Sequence, residues 1–520
     1  MPLGKAVLVI SILVLSSFSG CMFLQQTKFT LLSLVVDDDD GFPRMYVQFN
    51  TSDMSTLTLT GPQQMILFSD TYYQGIHNES IYLSGYRRIA VAGTYLLKAV
   101  DSSKNTIFEN ELQFKSDNLS LISLSVDEWE GTTGSSVVAL RLTLKNSGDL
   151  PVYPHKITVF QGISSVDAVL PPTVILPYDT EQITCFVSLL DLPADENQLN
   201  ISLFDNTGIV LLQVRSTVTK RNPIDSWVYT WYYLGSHALE IPNVDWFYEY
   251  YKGLDRFDIV DYAVYVFDPY DDGYIDFLVN QIQLLKGLRT DVEKINFVAS
   301  FVQSIEYKND DPGNSSYEYP RYPLETLKEQ RGDCEDKAIL TAALLWDLGY
   351  NVSLIRLPQH MAVGVHVNET IPLYSYYIDQ YYFLETTTLH MTLGRVPPEY
   401  QGLTNISVYP ISSRPLLVHN WKSATRFQIS TGGDYVHVKM VLENLGTAAA
   451  SAIEVHGAFY DNMSRMYNQE TTNVSFISAG EKCLAELSID VPALVLTTLK
   501  TQLYFHGVMV NQRESASRFT

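Results

Sequence analysis

Apolar and polar residues alternate in short runs over most of this chain, a pattern typical of β-strands with one buried face. Residues 56–60 and 93–101 show the alternation clearly, and glycine, proline, asparagine and aspartate mark the turns between such runs. Between residues 219 and 405 the pattern changes, because residues 291–302 repeat their apolar positions with the period of a helix. The chain is therefore predicted to be multidomain and β-rich, with an α+β region in its middle.

Two of the predicted β segments contain similar sequences. Residues 139–149 and 436–446 each form a strand-like run that ends in an Asn-x-Gly turn. The repetition predicts diverged copies of one immunoglobulin-like, cell-adhesion-type β-sandwich. The predicted domains are a targeting segment at 1–24, a β-sandwich at 28–116, immunoglobulin-like β-sandwiches at 118–218 and 406–520, and the α+β domain at 219–405.

Cys334 stands at the start of the best-defined helix in the sequence. Asp333 is a favourable N-cap residue, Asp336 adds a carboxylate to the first turn, and Gly349 ends the helix. The free N–H groups and the dipole of a helix start favour a thiolate over a thiol. Cys334 is therefore the predicted nucleophile, and the alternative is an inert buried cysteine.

A nucleophilic thiol needs a base, and the base needs a group that orients it. His360 begins one strand-like run, and Glu385 lies in the next, at 381–387. This order fits a Cys-His-Glu triad, although His360 could be a structural histidine and Glu385 a surface carboxylate. His366 is a rival base, but it lies about 20 Å further along the strand, so only one of the two histidines can serve.

Several motifs of this region resemble those of the transglutaminase-like superfamily, in particular its archaeal and bacterial branch. The resemblance covers about residues 225–405, and the motifs occur in the family's order. They are Tyr-Pro-Arg-Tyr-Pro at 319–323, Gly-Asp-Cys-Glu-Asp at 332–336, His-Met-Ala-Val-Gly-Val at 360–365, Tyr-Tyr-Phe-Leu-Glu-Thr-Thr at 381–387 and Gly-Arg-Val-Pro-Pro-Glu-Tyr at 394–400.

This resemblance implies a papain-like fold in which Cys334 is the nucleophile, His360 the base and Glu385 the residue that orients the base. The chain departs from the superfamily at two points. Glu385 stands where the superfamily more often has aspartate, and the histidine motif lacks the aromatic neighbour that is usual there.

Acyl transfer also requires donors for the developing oxyanion. The backbone N–H of Cys334 is one candidate, and the side chain of Gln303 is the other, with an exposed helical glutamine as the alternative. Arg321 and Glu325 are expected to form a charged pair that braces the loop before the catalytic helix.

The first two dozen residues have the features of a targeting segment. Lys5 supplies positive charge, residues 6–15 are apolar, and Cys21 ends a sequence similar to a lipoprotein cleavage box. The alternative is an uncleaved signal anchor, because residues 6–24 are just long enough to span a membrane. Both readings predict a protein held at the outer face of the cell membrane. Potential N-glycosylation sites agree with this location; they are Asn50, Asn78, Asn118, Asn200, Asn314, Asn351, Asn368, Asn405, Asn462 and Asn473.

Composition narrows the function further. A formal net charge of −23 argues against nucleic-acid binding, and four cysteines are too few for a disulfide-dense scaffold. No cofactor or metal site is predicted, because the acidic residues of 268–276 lack the spacing of a calcium loop and fit a turn before a helix. The sequence thus predicts an envelope-anchored cysteine acyl-transfer enzyme acting on protein or peptide substrates, as a peptidase, amidase or transglutaminase. The alternative is a catalytically inactive cell-surface binding or scaffold protein.

Overall fold

The computed structural model of the protein describes most of the chain. The described residues are 8–9, 28–39, 42–84, 92–115, 119–131, 134–161, 164–190, 192, 197–254, 256, 261–285, 287–288, 290–310, 319–371, 377–403, 405–428 and 433–520. The chain divides into two compact units. The first comprises Met1–Ser125, Arg141–Cys185 and Glu196–Lys220, and the second comprises Val126–Leu140, Phe186–Asp195 and Arg221–Thr520.

The first β segment forms two four-stranded antiparallel sheets, ordered β1-β2-β3-β6 and β5-β4-β7-β8. Their strands are β1 (Leu8–Val9), β2 (Phe29–Asp39), β3 (Phe42–Thr51), β4 (Ser55–Thr60), β5 (Ile66–Tyr72), β6 (Gly75–Tyr82), β7 (Gly93–Asp101) and β8 (Thr106–Phe114). The predicted alternation is present: Leu57 and Leu59 of β4 are fully buried, while the threonines beside them are half-buried. Because both sheets contribute to one hydrophobic core, the segment has the layout of a β-sandwich.

The second β segment forms one seven-stranded sheet with the order β12-β11-β14-β15-β9-β10-β13. Its strands are β9 (Leu119–Gly131), β10 (Gly134–Asn146), β11 (Lys156–Gln161), β12 (Ser164–Val169), β13 (Thr180–Leu190), β14 (Gln198–Phe204) and β15 (Val210–Ile224). All seven strands thus belong to one hydrogen-bonded sheet. That this segment forms an immunoglobulin-like β-sandwich stays a prediction.

The α+β region begins with an antiparallel hairpin and ends with a five-stranded antiparallel sheet, ordered β22-β23-β21-β20-β24. Its elements are β16 (Ser226–Tyr232), β17 (Ser236–Pro242), α1 (Asp245–Lys252), α2 (Asp272–Leu284), α3 (Asp291–Ser304), β18 (Glu306–Tyr307), α4 (Pro323–Glu329), β19 (Arg331–Gly332), α5 (Cys334–Asp347), β20 (Asn351–Leu357), β21 (His360–His366), β22 (Tyr377–Ile378), β23 (Tyr381–Leu384) and β24 (Ser407–Ile411). Helix α5 lies at the centre, in contact with α2, α3, α4, β20 and β21.

The C-terminal segment is again built from two antiparallel sheets, β25-β26-β29 and β28-β27-β30-β31. Its strands are β25 (Leu417–Gln428), β26 (Asp434–Asn444), β27 (Ala450–Tyr460), β28 (Met466–Ile477), β29 (Lys482–Asp490), β30 (Thr497–Phe505) and β31 (Val508–Phe519). The two sheets bury one shared core, as a β-sandwich does.

The two similar sequences form the same local structure. Asn146 ends β10 and Asn444 ends β26, and each side chain is fully buried. Each amide nitrogen donates to the backbone carbonyl four residues later, Leu150 or Ala448, and to a carbonyl about 30 residues further on, Ile175 or Ile477. Each amide oxygen accepts the N–H of the glycine two residues later, Gly148 or Gly446. This shared set of hydrogen bonds supports the predicted duplication.

The predicted anchor at 1–24 lies almost entirely outside the described residues, and so does its candidate lipidation site Cys21. Only the two residues of β1, paired with Val36 and Val35 of β2, are described there. Within the described part of the chain, every helix is too short or too polar to cross a bilayer.

Gly364 of β21 lies where only a hydrogen fits. A Cβ atom there would lie 2.8 Å from Cβ of Tyr381 and still closer to Oγ of buried Ser353. We therefore expect Gly364→Ala to lower the free energy of unfolding by about 1–3 kcal/mol through overpacking. Urea titration followed by tryptophan fluorescence measures the change, and Gly287→Ala is the control, since nothing lies within 4 Å of its Cβ position. Equal midpoints for the two variants would contradict the overpacking.

Candidate active site

Three neighbouring elements bring the predicted catalytic residues into one region. Cys334 is the first residue of α5, His360 is the first residue of β21, and Glu385 directly follows β23. Strands β21 and β23 pair, with Val363 opposite Leu384, and α5 packs on β21. The sequence predicted a strand over 381–387, whereas the ladder ends at Leu384, so Glu385 leaves the sheet just where its side chain turns to the histidine.

The start of α5 is fixed by Asp336. Its Oδ2 accepts the backbone N–H of Asp333 at 3.2 Å, and its Oδ1 accepts the backbone N–H of Arg321 at 2.8 Å. The Arg321 guanidinium also donates to Asp336, whose side chain is fully buried. Asp336 thus has the predicted capping role. The predicted end of the helix is also observed, because Gly349 has the positive φ of a C′ residue.

His360 and Glu385 form a buried pair. Nε2 of His360 lies 3.0 Å from Oε2 of Glu385, and the two residues are 8% and 0% exposed. Because a carboxylate only accepts, the shared proton sits on Nε2 of the histidine. In the neutral imidazole this leaves Nδ1 as the nitrogen that can take a proton from another group.

The carboxylate of Glu385 is held on both of its oxygens. Oε1 accepts the backbone N–H of Thr387 at 2.8 Å and also its hydroxyl, while Oε2 faces His360. Burial raises the pKa of Glu385, but the hydrogen bonds from His360 and Thr387 outweigh it and bring the pKa below its ordinary value. Glu385 is therefore ionised at neutral pH and able to stabilise an imidazolium.

Tyr400 supplies an aromatic neighbour to His360. The two rings stack in parallel, 4.6 Å apart with an interplanar angle of 1°. Tyr400 ends the short 3-10 helix Pro398–Tyr400. The motif at 394–400 was visible in the sequence, but its spacing gave no indication that this tyrosine would contact the histidine.

The thiol of Cys334 lies in acidic surroundings. It donates to Oε2 of Glu335 at 3.2 Å. Burial, followed by the carboxylates of Glu335 and Asp333, raises its pKa, while a hydrogen bond from the backbone N–H of Met361 lowers it by less. The sequence argument considered only the helix N terminus, which favours a thiolate; the flanking acids and burial oppose that effect and give a protonated thiol.

After burial, Glu335 contributes most to the raised pKa of the thiol. We expect Glu335→Gln to lower the pKa of Cys334, because it removes the negative charge nearest the sulfur. The rate of iodoacetamide alkylation, measured from pH 6 to 10, should then rise at lower pH than in the wild type. Glu306→Gln changes an exposed glutamate of β18 and is the control. Superimposable profiles for Glu335→Gln and the wild type would show that the carboxylate has no such effect.

Gln303 is buried rather than exposed. It lies near the end of α3, and its side-chain nitrogen donates to the backbone carbonyls of Glu385 and Met391, both at 2.8 Å. In this geometry both amide hydrogens hold the backbone that carries the carboxylate. Donation to an oxyanion would require one of these bonds to break, so that role of Gln303 stays a prediction.

Lys337 was not singled out in the sequence. It lies one turn after Cys334 on α5, is fully buried, and donates from Nζ to the carbonyl oxygens of Gln303 and Ile305 at 3.2 and 2.8 Å. Burial lowers its pKa to about 8, against the opposing influence of Glu385. Lys337 therefore caps the end of α3 and places positive charge near the Glu385 carboxylate.

The prediction that Arg321 and Glu325 form an ion pair is wrong, because each side chain pairs with other residues. Arg321 forms ion pairs with Asp310 at 3.0 Å, with Glu329 at 3.3 Å and with Asp336. Glu325 is fully buried and pairs with Arg256. The ion pairs of Arg321 and of Glu325 both lie beside α4 and the start of α5. The two residues therefore hold the loop before α5 as expected, but through other partners.

One group of acids near the thiol has oxygens close enough to share an ion. Asp310, Asp333 and Glu335 each place one oxygen within 4.8 Å of the other two. Arg321 already supplies positive charge to Asp310, and Glu335 accepts the Cys334 thiol. These contacts account for two of the three acids, and no ion is assigned to the group.

The rival base His366 ends β21, six residues after His360. A strand rises about 3.3 Å per residue, so the two histidines lie about 20 Å apart along it. Only His360 pairs with Glu385. The hydrogen bond from Met361 N–H to Cys334 likewise joins the sulfur to the His360 end of the strand.

The segment that contains these residues is similar to a known protein family. Residues 280–392 match the family model described as Transglutaminase-like domain. The match includes α3, α5, β20, β21 and β23, and so contains Cys334, His360 and Glu385. It supports the assignment of this segment to the transglutaminase-like superfamily. A transglutaminase-like domain indicates cysteine acyl-transfer or peptidase chemistry.

More distant comparisons add little. No curated protein matches the chain in sequence. Among solved structures, a protein of Bacteroides fragilis described as a beta-galactosidase is 12% identical, with a TM-score of 0.17, over 32% of this chain and 30% of its own length. The YadV chaperone is 9% identical, with a TM-score of 0.14, over 34% of this chain and 92% of its own. This chain thus spans less than a third of the first of these proteins.

Proposed function

We propose that the transglutaminase-like domain is a cysteine acyl-transfer enzyme with a papain-like fold, in which Cys334, His360 and Glu385 act as a triad. The observation that carries the proposal is the buried 3.0 Å contact between His360 Nε2 and Glu385 Oε2, which leaves Nδ1 as the base. The substrate is a protein or peptide, attacked at a glutamine carboxamide or a peptide carbonyl.

The residues would act in the following order. The Cys334 sulfur attacks the carbonyl carbon while its proton passes to Nδ1 of His360. The C–N bond breaks, the imidazolium returns the proton to the departing ammonia or amine, and a thioester remains. Water or an amine then attacks the thioester, loses its proton to His360, and the sulfur leaves and is reprotonated. Glu385 keeps the imidazole in the required tautomer and stabilises its charged form.

We further propose that the enzyme acts outside the cell, held at the membrane by its N-terminal segment through Cys21 lipidation or as an uncleaved signal anchor. The apolar run of residues 6–24 and the ten potential glycosylation sites support this location. The flanking β modules would then serve as spacers or as binding surfaces for the substrate.

Mass spectrometry of reaction products tests the acyl-transfer proposal. The full chain is incubated with a glutamine-containing peptide, with and without putrescine, beside Cys334→Ala. Hydrolysis gives the glutamate product or cleaved peptide, and transfer gives the putrescine adduct. Equal product formation by Cys334→Ala would rule out the proposed nucleophile.

A catalytically inactive binding or scaffold protein is the second candidate. It is favoured by one observation, the hydrogen bond that holds the Cys334 thiol on Glu335 together with its raised pKa. Alkylation with chloroacetamide needs no substrate and separates the two candidates. If His360 acts on the thiol, as the enzyme requires, the pH profile of alkylation should differ between wild type and His360→Ala. Identical profiles would contradict the enzyme and favour the inactive alternative.

A further inference from the structure

The short parallel pair of β18 and β19 lies beside the thiol. Strand β19 ends at Gly332, two residues before Cys334, and Tyr307 of β18 lies opposite Gly332. Neighbouring strands are about 4.8 Å apart, so β18 runs alongside the stretch of chain that carries the nucleophile. A ligand that extends this small sheet at β18 would therefore lie next to the active site.

One edge of β18 is free of hydrogen bonds within the described part of the chain. The N–H groups of Glu306 and Lys308 both point to β19, where they donate to the carbonyl oxygens of Gln330 at 3.3 Å and of Gly332 at 3.1 Å. In a parallel pair, the residue between two such donors directs its own N–H and C=O to the opposite side. That residue is Tyr307, and no described residue pairs with either of its backbone groups.

This edge is open to solvent. Residues 306–309 are all exposed, and Tyr307 is 49% exposed. An open strand edge presents a donor and an acceptor that an extended polypeptide can match. Strand β18 has only two residues, and the charged side chains of Glu306 and Lys308 flank the tyrosine, so the edge is too short and too charged for stable pairing with another sheet. It suits one polypeptide segment that pairs briefly.

The side chain of Tyr307 lies near the sulfur. Burial raises the pKa of Tyr307 to about 12, together with the negative charge that Cys334 and the acids beside it would carry. An electrostatic influence of this kind acts over short distances in a protein, so the phenol and the thiol share one region. The hydroxyl of Tyr400, whose ring stacks on His360, acts in the same direction. Strand β18 therefore adjoins both the nucleophile and the base.

We propose that β18 pairs with an extended segment of the polypeptide substrate and so presents that segment to Cys334. The N–H of Tyr307 would donate to one residue of the substrate, and its C=O would accept from the same residue. A helical segment uses its N–H and C=O groups internally, so the substrate is a loop or an unfolded segment. This inference rests on the proposed acyl-transfer function and deepens it by naming the conformation in which the substrate is recognised.

Alkylation of Cys334 by a chloroacetamide group carried on a peptide tests the proposal. The probe is an acetylated alanine pentapeptide whose central side chain ends in chloroacetamide, and free chloroacetamide is the reference. We expect the peptide to label Cys334 of the full chain about tenfold or more faster than the reference, as located by mass spectrometry. A backbone N-methyl group, placed at each residue in turn, should abolish this advantage at the residue that donates to the Tyr307 carbonyl.

Substitutions of Tyr307 separate its backbone from its side chain. Tyr307→Pro removes the N–H that the substrate requires and keeps both donors to β19. The ratio of the peptide rate to the chloroacetamide rate should fall about tenfold in this variant. Tyr307→Ala keeps the N–H, so its ratio should exceed that of Tyr307→Pro. The ratio corrects for any change in the thiol itself.

Two results would overturn the proposal: equal labelling by all the N-methylated peptides, or equal ratios in wild type and a folded Tyr307→Pro. The N-methyl series uses the wild-type chain, so it decides the question even if Tyr307→Pro impairs folding. Alkylation reports the approach of the peptide to the thiol and needs no turnover. Faster labelling without a hydrolysis product or putrescine adduct would therefore keep the strand pairing and reject acyl transfer, whereas product formation with no effect of N-methylation would do the reverse.

Discussion

In the proposed mechanism, His360→Ala should reduce the acyl-transfer rate about 10⁴-fold or more, because it removes the proposed base, which the Glu385 carboxylate holds. The loss should fall on kcat rather than on KM, since the imidazole acts on the reacting atoms and contributes little to holding the peptide. Initial rates of ammonia release from a glutamine-containing peptide measure the effect.

His366→Ala is the matched control for this prediction. It removes the same side chain from the other end of the same strand, where the histidine is half-buried and does not contact Glu385. Its rate should stay within about twofold of the wild type, as expected of a substitution that leaves the reacting atoms untouched. If His366→Ala lost most of its activity while His360→Ala stayed active, His366 rather than His360 would be the base.

Arg321→Met should destabilise the transglutaminase-like domain by about 3–5 kcal/mol. The substitution leaves the fully buried carboxylate of Asp336 without its counter-charge, and it also removes the ion pairs to Asp310 and Glu329. Methionine fills a similar volume, so the loss is mainly electrostatic. The midpoint of urea unfolding, followed by tryptophan fluorescence, reports the change.

Lys294→Met provides the comparison for Arg321. Its ion pair with Asp291 is long, at 3.9 Å, and the two side chains are 35% and 51% exposed to solvent. Such pairs contribute at most about 1 kcal/mol. If the two variants unfold at the same urea concentration, the buried network does not stabilise the domain in the way proposed here.

Much of the α+β region could be predicted from local sequence signals. Apolar residues at helical spacing, an N-cap and a closing glycine predicted the helix that the structure has as α5, Cys334–Asp347. The amphipathic run at 291–302 likewise lies within α3. These signals act over a few residues, so they survive without knowledge of tertiary contacts.

The partners of individual charges could not be predicted in the same way. Glu325 pairs with Arg256 rather than with Arg321, and Gln303 hydrogen-bonds to backbone 82 residues further along the chain. Such contacts depend on how separate elements meet, which periodicity does not encode. For the same reason the acids beside Cys334 were seen as helix-start residues, and their effect on the thiol pKa was missed.

The asparagine turns of β10 and β26 bear on the predicted duplication of the β modules. After a gene segment is copied, apolar core positions can drift together as long as volume is kept. An amide side chain that both donates and accepts hydrogen bonds has no apolar substitute, so Asn146 and Asn444 are the positions that the predicted duplication would keep while core and surface residues change.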